Sequence, residues 1–122
     1  MPIVPGCVSA PPPPSGQTTF MTHCASCHGR LAEGDGPMVD VLRVNVPNLR
    51  QLGERNGGTF PADAVAGYID GRNLPVAHGD RVMPVWGDIF DTTSRILPDA
   101  QAAEQRIDNL VDWLGSIQYD SP

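Results

Sequence analysis

The sequence predicts one small helical domain, on three observations. At 122 residues the chain has the length of a single compact domain. Apolar residues recur at helical spacing near both ends, through Phe20, Cys24 and Cys27 and again through Ala103, Ile107, Leu110, Val111, Leu114 and Ile117. β-Branched runs are few, and no stretch alternates as a half-buried strand does. Net charge is −6, and the cations are eight arginines without a single lysine. Nucleic acid and anionic lipid are therefore poor partners, and a docking protein should present a basic or largely apolar face.

Met1 to Gly16 stands apart, with six prolines, two glycines and no charge. Residues 1–16 read as a flexible, proline-rich tether, and residues 17–122 as the folded domain. The run Pro11-Pro12-Pro13-Pro14 favours an extended polyproline spacer. Cys7, just after Gly6 and ahead of this spacer, looks like the lipidated first residue of a bacterial lipoprotein, although Pro5 is unusual in such a motif. The alternative is a plain unpaired thiol. A lipid on Cys7 would hold the domain at a membrane surface, since no stretch approaches the roughly 18 apolar residues of a membrane span.

The first helix should begin near Gln17, capped by Thr18 or Thr19. Phe20, Cys24, Cys27 and His28 then form an inward stripe, and Gly29 ends the helix in the left-handed conformation. His23 lies about 100° around the axis from Cys24 and reads as surface. The chemistry sits in Cys24-Ala25-Ser26-Cys27-His28. A Cys-x-x-Cys-His run reads as a site of covalent haem attachment. At helical spacing the two thiols and the imidazole fall on one face. The thiols can add to two vinyl groups of a haem lying across that face, and His28 can ligate its iron. A structural zinc site would need a second ligand pair, which Cys7, His23 and His78 do not form. A redox dithiol would sit beside a βαβ pattern, and none is present. The macrocycle would also complete a core in which aromatic residues are only 6% of the chain.

Gly34-Asp35-Gly36-Pro37 follows as a loop. Its glycines permit unusual backbone angles and a close approach to the macrocycle. The carbonyl of Pro37 is the proposed acceptor for the second ring nitrogen of His28, against the plainer reading of a surface turn. Short helices are predicted over 38–44 and 49–55. A third begins at Pro61 and runs through Ala64, Val65, Tyr68 and Ile69 to Gly71. Arg72, just past that end, is a candidate for a haem propionate, in competition with Arg43, Arg50 and Arg81.

Met83-Pro84-Val85-Trp86-Gly87 is the second stretch with chemistry. A six-coordinate iron needs a ligand facing His28, and a thioether there raises the reduction potential. Met1 lies in the tail, Met21 shares the helix of His28, and Met38 adjoins Pro37. Met83 lies 55 residues beyond His28, enough chain to wrap the haem edge. Pro84 holds it extended on a loop. His78 is the substitute ligand. Trp86 either donates its indole N–H to a propionate or simply packs. The chain closes on its longest helix signal, opened by Pro98 and Asp99, with Glu104, Asp108 and Asp112 opposite the apolar stripe and Trp113 flanking it. This helix should pack on the first one.

With these motifs in order, the stretch from about Gln17 to Ile117 resembles a class I c-type cytochrome domain of the small monohaem bacterial kind. The resemblance implies an all-α, cytochrome c-like fold of four to five helices around one covalently bound haem c, with the terminal helices crossing. It implies thioether bonds at Cys24 and Cys27 and iron held by His28 and Met83. It implies a one-electron carrier in a respiratory or related chain, not an enzyme, placed in the periplasm or on the outer face of the cytoplasmic membrane. Redox proteins or a membrane-bound electron-transfer complex would be its partners. A fixed relay subunit of a larger oxidoreductase complex and an open-site haem sensor or catalyst are the alternatives. Many soluble members dock through a lysine ring, and this chain has no lysine for it.

Overall fold

The computed structural model describes residues 14–73, 81–96 and 103–119. Cys7, most of the tether, His78, Pro98 and Asp99 lie outside them. The described residues hold seven α-helical segments and one 3₁₀ turn, with no strand among them. Four of the segments are eight residues or longer: α1 (Gly16–His23), α5 (Ala62–Asp70), α6 (Trp86–Ile96) and α7 (Ala103–Ser116). The others are single turns: α2 (Ala25–His28), α3 (Val39–Leu42) and α4 (Leu52–Arg55), the last preceded by the 3₁₀ turn Leu49–Gln51.

Helix α1 starts one residue before the expected Gln17. Its cap is Ser15, whose hydroxyl accepts from the Thr18 N–H at 3.1 Å. The helix is not continuous to Gly29. It breaks at Cys24 (φ −118°), and α2 restarts at Ala25 before Gly29 stops it, not in the expected left-handed helical conformation but at φ 85° and ψ 156°. Phe20 and Cys24 stay buried and Cys27 and His28 half-buried, so the stripe survives the break.

The core forms around α7, which packs on α1, α5 and α6. Ala103, Ile107, Leu110, Val111 and Leu114 are buried, while Glu104, Asp108 and Asp112 face water, as the helical spacing requires. Each large side chain buried this way contributes about 1.5–3 kcal/mol. The α1–α7 contact carries an aromatic pair, Phe20 and Trp113, with centroids 4.8 Å apart. Gln118 ties the end of α7 to the 49–55 segment. Its amide accepts from the Gly53 N–H (2.9 Å) and donates to the Leu49 (2.7 Å) and Leu114 (3.0 Å) carbonyls.

Helix α6 was not expected. The pattern of residues 86–96 is interrupted by Asp, Thr and Ser, which are weak helix formers. Its first turns pack by rings: Trp86 stacks on Phe90 at 5.6 Å. Buried Phe90 also receives the Arg106 guanidinium from α7, 4.2 Å from the ring centroid.

Candidate haem site

The helices and the 44–47 and 81–84 segments line a partly open cavity of about 780 Å³. That lies within the roughly 300–1,000 Å³ of small-molecule and cofactor sites. Phe20, Cys24, Cys27 and His28 line it from α1 and α2, and Leu110 and Leu114 from α7. Val65 and Ile69 of α5 and Met83 and Trp86 of the following segment complete the wall.

The Cys24 and Cys27 thiols are unpaired. Burial, with a smaller contribution from Cys27, pushes Cys24 up to about 12, so it stands there as a neutral thiol. Among the described residues no three His, Cys, Asp or Glu side chains are gathered as a metal ion would need. The His28 ring lines the cavity with Nδ1 buried and without a hydrogen-bond partner. Burial holds its pKa below the ordinary imidazole value, so the ring is neutral, the form that ligates metals.

The 34–37 loop does not line the cavity. It packs instead on the end of α2 and, together with Gly29 and Met38, answers the carbonyls of its last turn. The Ala25 carbonyl accepts from Gly29 N–H (2.8 Å), Ser26 from Met38 (2.9 Å), Cys27 from Gly36 (3.1 Å) and His28 from Gly34 (2.8 Å). All four final carbonyls of the attachment helix are thereby satisfied. Gly36 is needed for this contact, because a Cβ there would meet the Cys27 carbonyl carbon at 2.6 Å.

Pro37 is exposed, and its carbonyl is not the one that acts on His28. The backbone carbonyl that favours the protonated ring is that of Pro47, although Nδ1 has no hydrogen-bond partner in this structure. Asn45-Val46-Pro47 reads in sequence only as a helix stop, and nothing local announces that it folds back onto His28. Arg72 also stands elsewhere. Its guanidinium pairs with Asp70 at 2.7 Å and with Glu104 at 3.2 Å, and it does not line the cavity. Asp70 is held below, and Arg72 above, the ordinary value chiefly by that hydrogen bond. Arg50 turns to the Ile117 carbonyl and the Tyr119 ring. Of the four arginines considered, Arg81 alone lines the cavity.

His23, expected at the surface, is half-buried on the cavity wall. Its ring lies 5.3 Å from Trp86 and 5.5 Å from Phe90. The signal was present in the sequence: Phe20, His23, Cys24 and Cys27 follow the i, i+3, i+4, i+7 pattern of one helix face. Met83 is half-buried against the core, and Trp86 opens α6 beside it.

An apolar cavity with two free thiols and a buried, partnerless imidazole on its wall has the chemistry to hold a haem. No curated protein and no solved structure matches the chain. The Cytochrome c family model matches residues 14–118, a span that includes the attachment motif, the cavity and both terminal helices. On that match the chain belongs to the cytochrome c family, whose domains carry covalently bound haem c and transfer electrons.

Proposed function

We propose that the protein is a one-electron carrier with haem c attached at Cys24 and Cys27 and its iron held by His28 and Met83. The observation that carries this is the convergence of both thiols, the imidazole and the thioether on one largely apolar cavity. When bound, the haem supplies a one-electron couple at its iron. The two cysteines hold it by thioether bonds. His28 offers a neutral ring nitrogen, and its other nitrogen has the Pro47 carbonyl as the available acceptor. Met83 offers a soft, neutral sulfur, which favours the reduced state. Leu110, Leu114, Val65 and Ile69 keep water from the centre. With His28 and Met83 both holding the iron, a substrate would have no place on it.

Domains of this family typically lie outside the cytoplasm. We place this one in a respiratory or related chain, in the periplasm or at the outer face of the membrane. Its partners are redox proteins or a membrane-bound complex, with Cys7 as a lipid anchor. No helix among the described residues is long and apolar enough to cross a membrane.

Carbon monoxide tests the ligand set. The reduced holoprotein should bind it only weakly at neutral pH. Met83→Ala should bind it more tightly and show a lowered reduction potential. An unchanged spectrum in that variant would move the assignment to His78.

A further inference from the structure

The segment that carries Met83 has no regular structure of its own. Residues 81–85 lie in neither helix nor strand, and Pro84 has no N–H to anchor it. Methionine has three rotatable side-chain bonds, so its sulfur is aimed only as well as its backbone is held. Two consecutive carbonyls of that backbone are held by one side chain. Arg81 donates from Nε to the Met83 carbonyl (2.7 Å) and from Nη2 to the Pro84 carbonyl (2.7 Å). The same guanidinium donates from Nη1 to the Tyr68 carbonyl (2.6 Å) and from Nη2 to the Ile69 carbonyl (3.4 Å).

The last two acceptors belong to the final turn of α5, where the helix leaves its carbonyls unpaired and its dipole favours a cation. The guanidinium also lies over the Tyr68 ring, 4.9 Å from its centroid. Gly71 makes the room, since a Cβ there would stand 2.7 Å from Nη1. Four of the five N–H groups of Arg81 are committed to backbone carbonyls. The side chain is therefore placed to fix the loop rather than to grip a propionate.

We propose that Arg81 is the positioning residue for the Met83 thioether: one cation clamps the Met83 carbonyl to the end of α5 and so aims the sulfur at the iron. The inference rests on the reading of Met83 as axial ligand. A planar fork suits four carbonyls, whereas an ammonium has three donors and no fixed plane. Lysine should therefore replace it only in part.

The test compares reduced holoproteins of wild type, Arg81→Lys, Arg81→Ala, Met83→Ala and Gln118→Ala. Carbon monoxide affinity, reduction potential and urea midpoint are measured for each. Arg81→Ala should bind carbon monoxide roughly tenfold or more tightly than wild type, the equivalent of losing one charge-assisted hydrogen bond. Its potential should fall toward that of Met83→Ala, with Arg81→Lys in between. Gln118→Ala should lower the urea midpoint without gaining carbon monoxide affinity. The inference is overturned if Arg81→Ala binds no more tightly than wild type while Met83→Ala does, or if Gln118→Ala gains as much. Where Arg81→Ala fails to fold, Arg81→Lys must still exceed wild type, and equality overturns the inference. A Met83→Ala variant that gains no carbon monoxide affinity overturns the ligand reading instead.

Discussion

The wall that carries the attachment motif and the wall that carries Met83 are held by different means. Around Cys24–His28 the restraint is backbone to backbone. Gly29, Gly34, Gly36 and Met38 each donate an N–H to a carbonyl of α2, all within ten residues of His28. At Met83 the Met83 and Pro84 carbonyls are held by a guanidinium that reaches back to α5. A backbone network of this kind has no side chain that can be deleted. It fails when a side chain is added where none fits. A side-chain clamp can be removed outright or weakened by degrees.

Glycine substitutions sharpen this contrast. Gly36→Ala should have the largest effect, a loss of about 3 kcal/mol, because the new methyl meets helix carbonyls that cannot step aside. Urea unfolding of the holoprotein measures it, and a loss under 1 kcal/mol would mean the loop yields easily. Gly71→Ala should cost less, about 1–2 kcal/mol. Its φ of 74° disfavours a Cβ, but the atoms in the way belong to the Arg81 and Val85 side chains rather than to backbone. Equal losses at the two positions would erase the distinction between the walls.

The smallest effect concerns His23, where the two walls touch through its rings with Trp86 and Phe90. Burial, and then the Arg106 charge from α7, hold its pKa below the ordinary value. Unfolding therefore takes up a proton at His23 as pH falls through about 6.5. The group costs no stability above that range and subtracts from it below. His23→Gln should flatten the fall in holoprotein stability between pH 7 and pH 5 relative to wild type. Parallel curves would show that His23 titrates as if exposed.

Much of the site was legible in the sequence because its signals are local. The attachment motif is five consecutive residues, and helical spacing alone puts both thiols and His28 on one face. The α7 stripe was legible for the same reason, since a 14-residue amphipathic helix repeats its pattern four times over. Helix α6 was not, because its polar residues have weak helix propensity and its ring contacts at Trp86 and Phe90 form only on packing. His23 lies about 100° around the axis from Cys24, yet the wider i, i+3, i+4, i+7 set of Phe20, His23, Cys24 and Cys27 puts it on the cavity face.

By itself the sequence determined the helical class, the attachment motif on one helix face and the helix that closes the core. These rest on short-range geometry, which the chain carries wherever it folds. Tertiary structure decided which carbonyl meets His28, which arginine stands at the cavity and how the Met83 segment is held. Pro47 displaces Pro37, and Arg81 displaces Arg72, through contacts between residues 10 to 20 positions apart in a chain without a repeating pattern between them. Polar groups in such segments take the partner that folding brings near, and neither composition nor periodicity records which one that is.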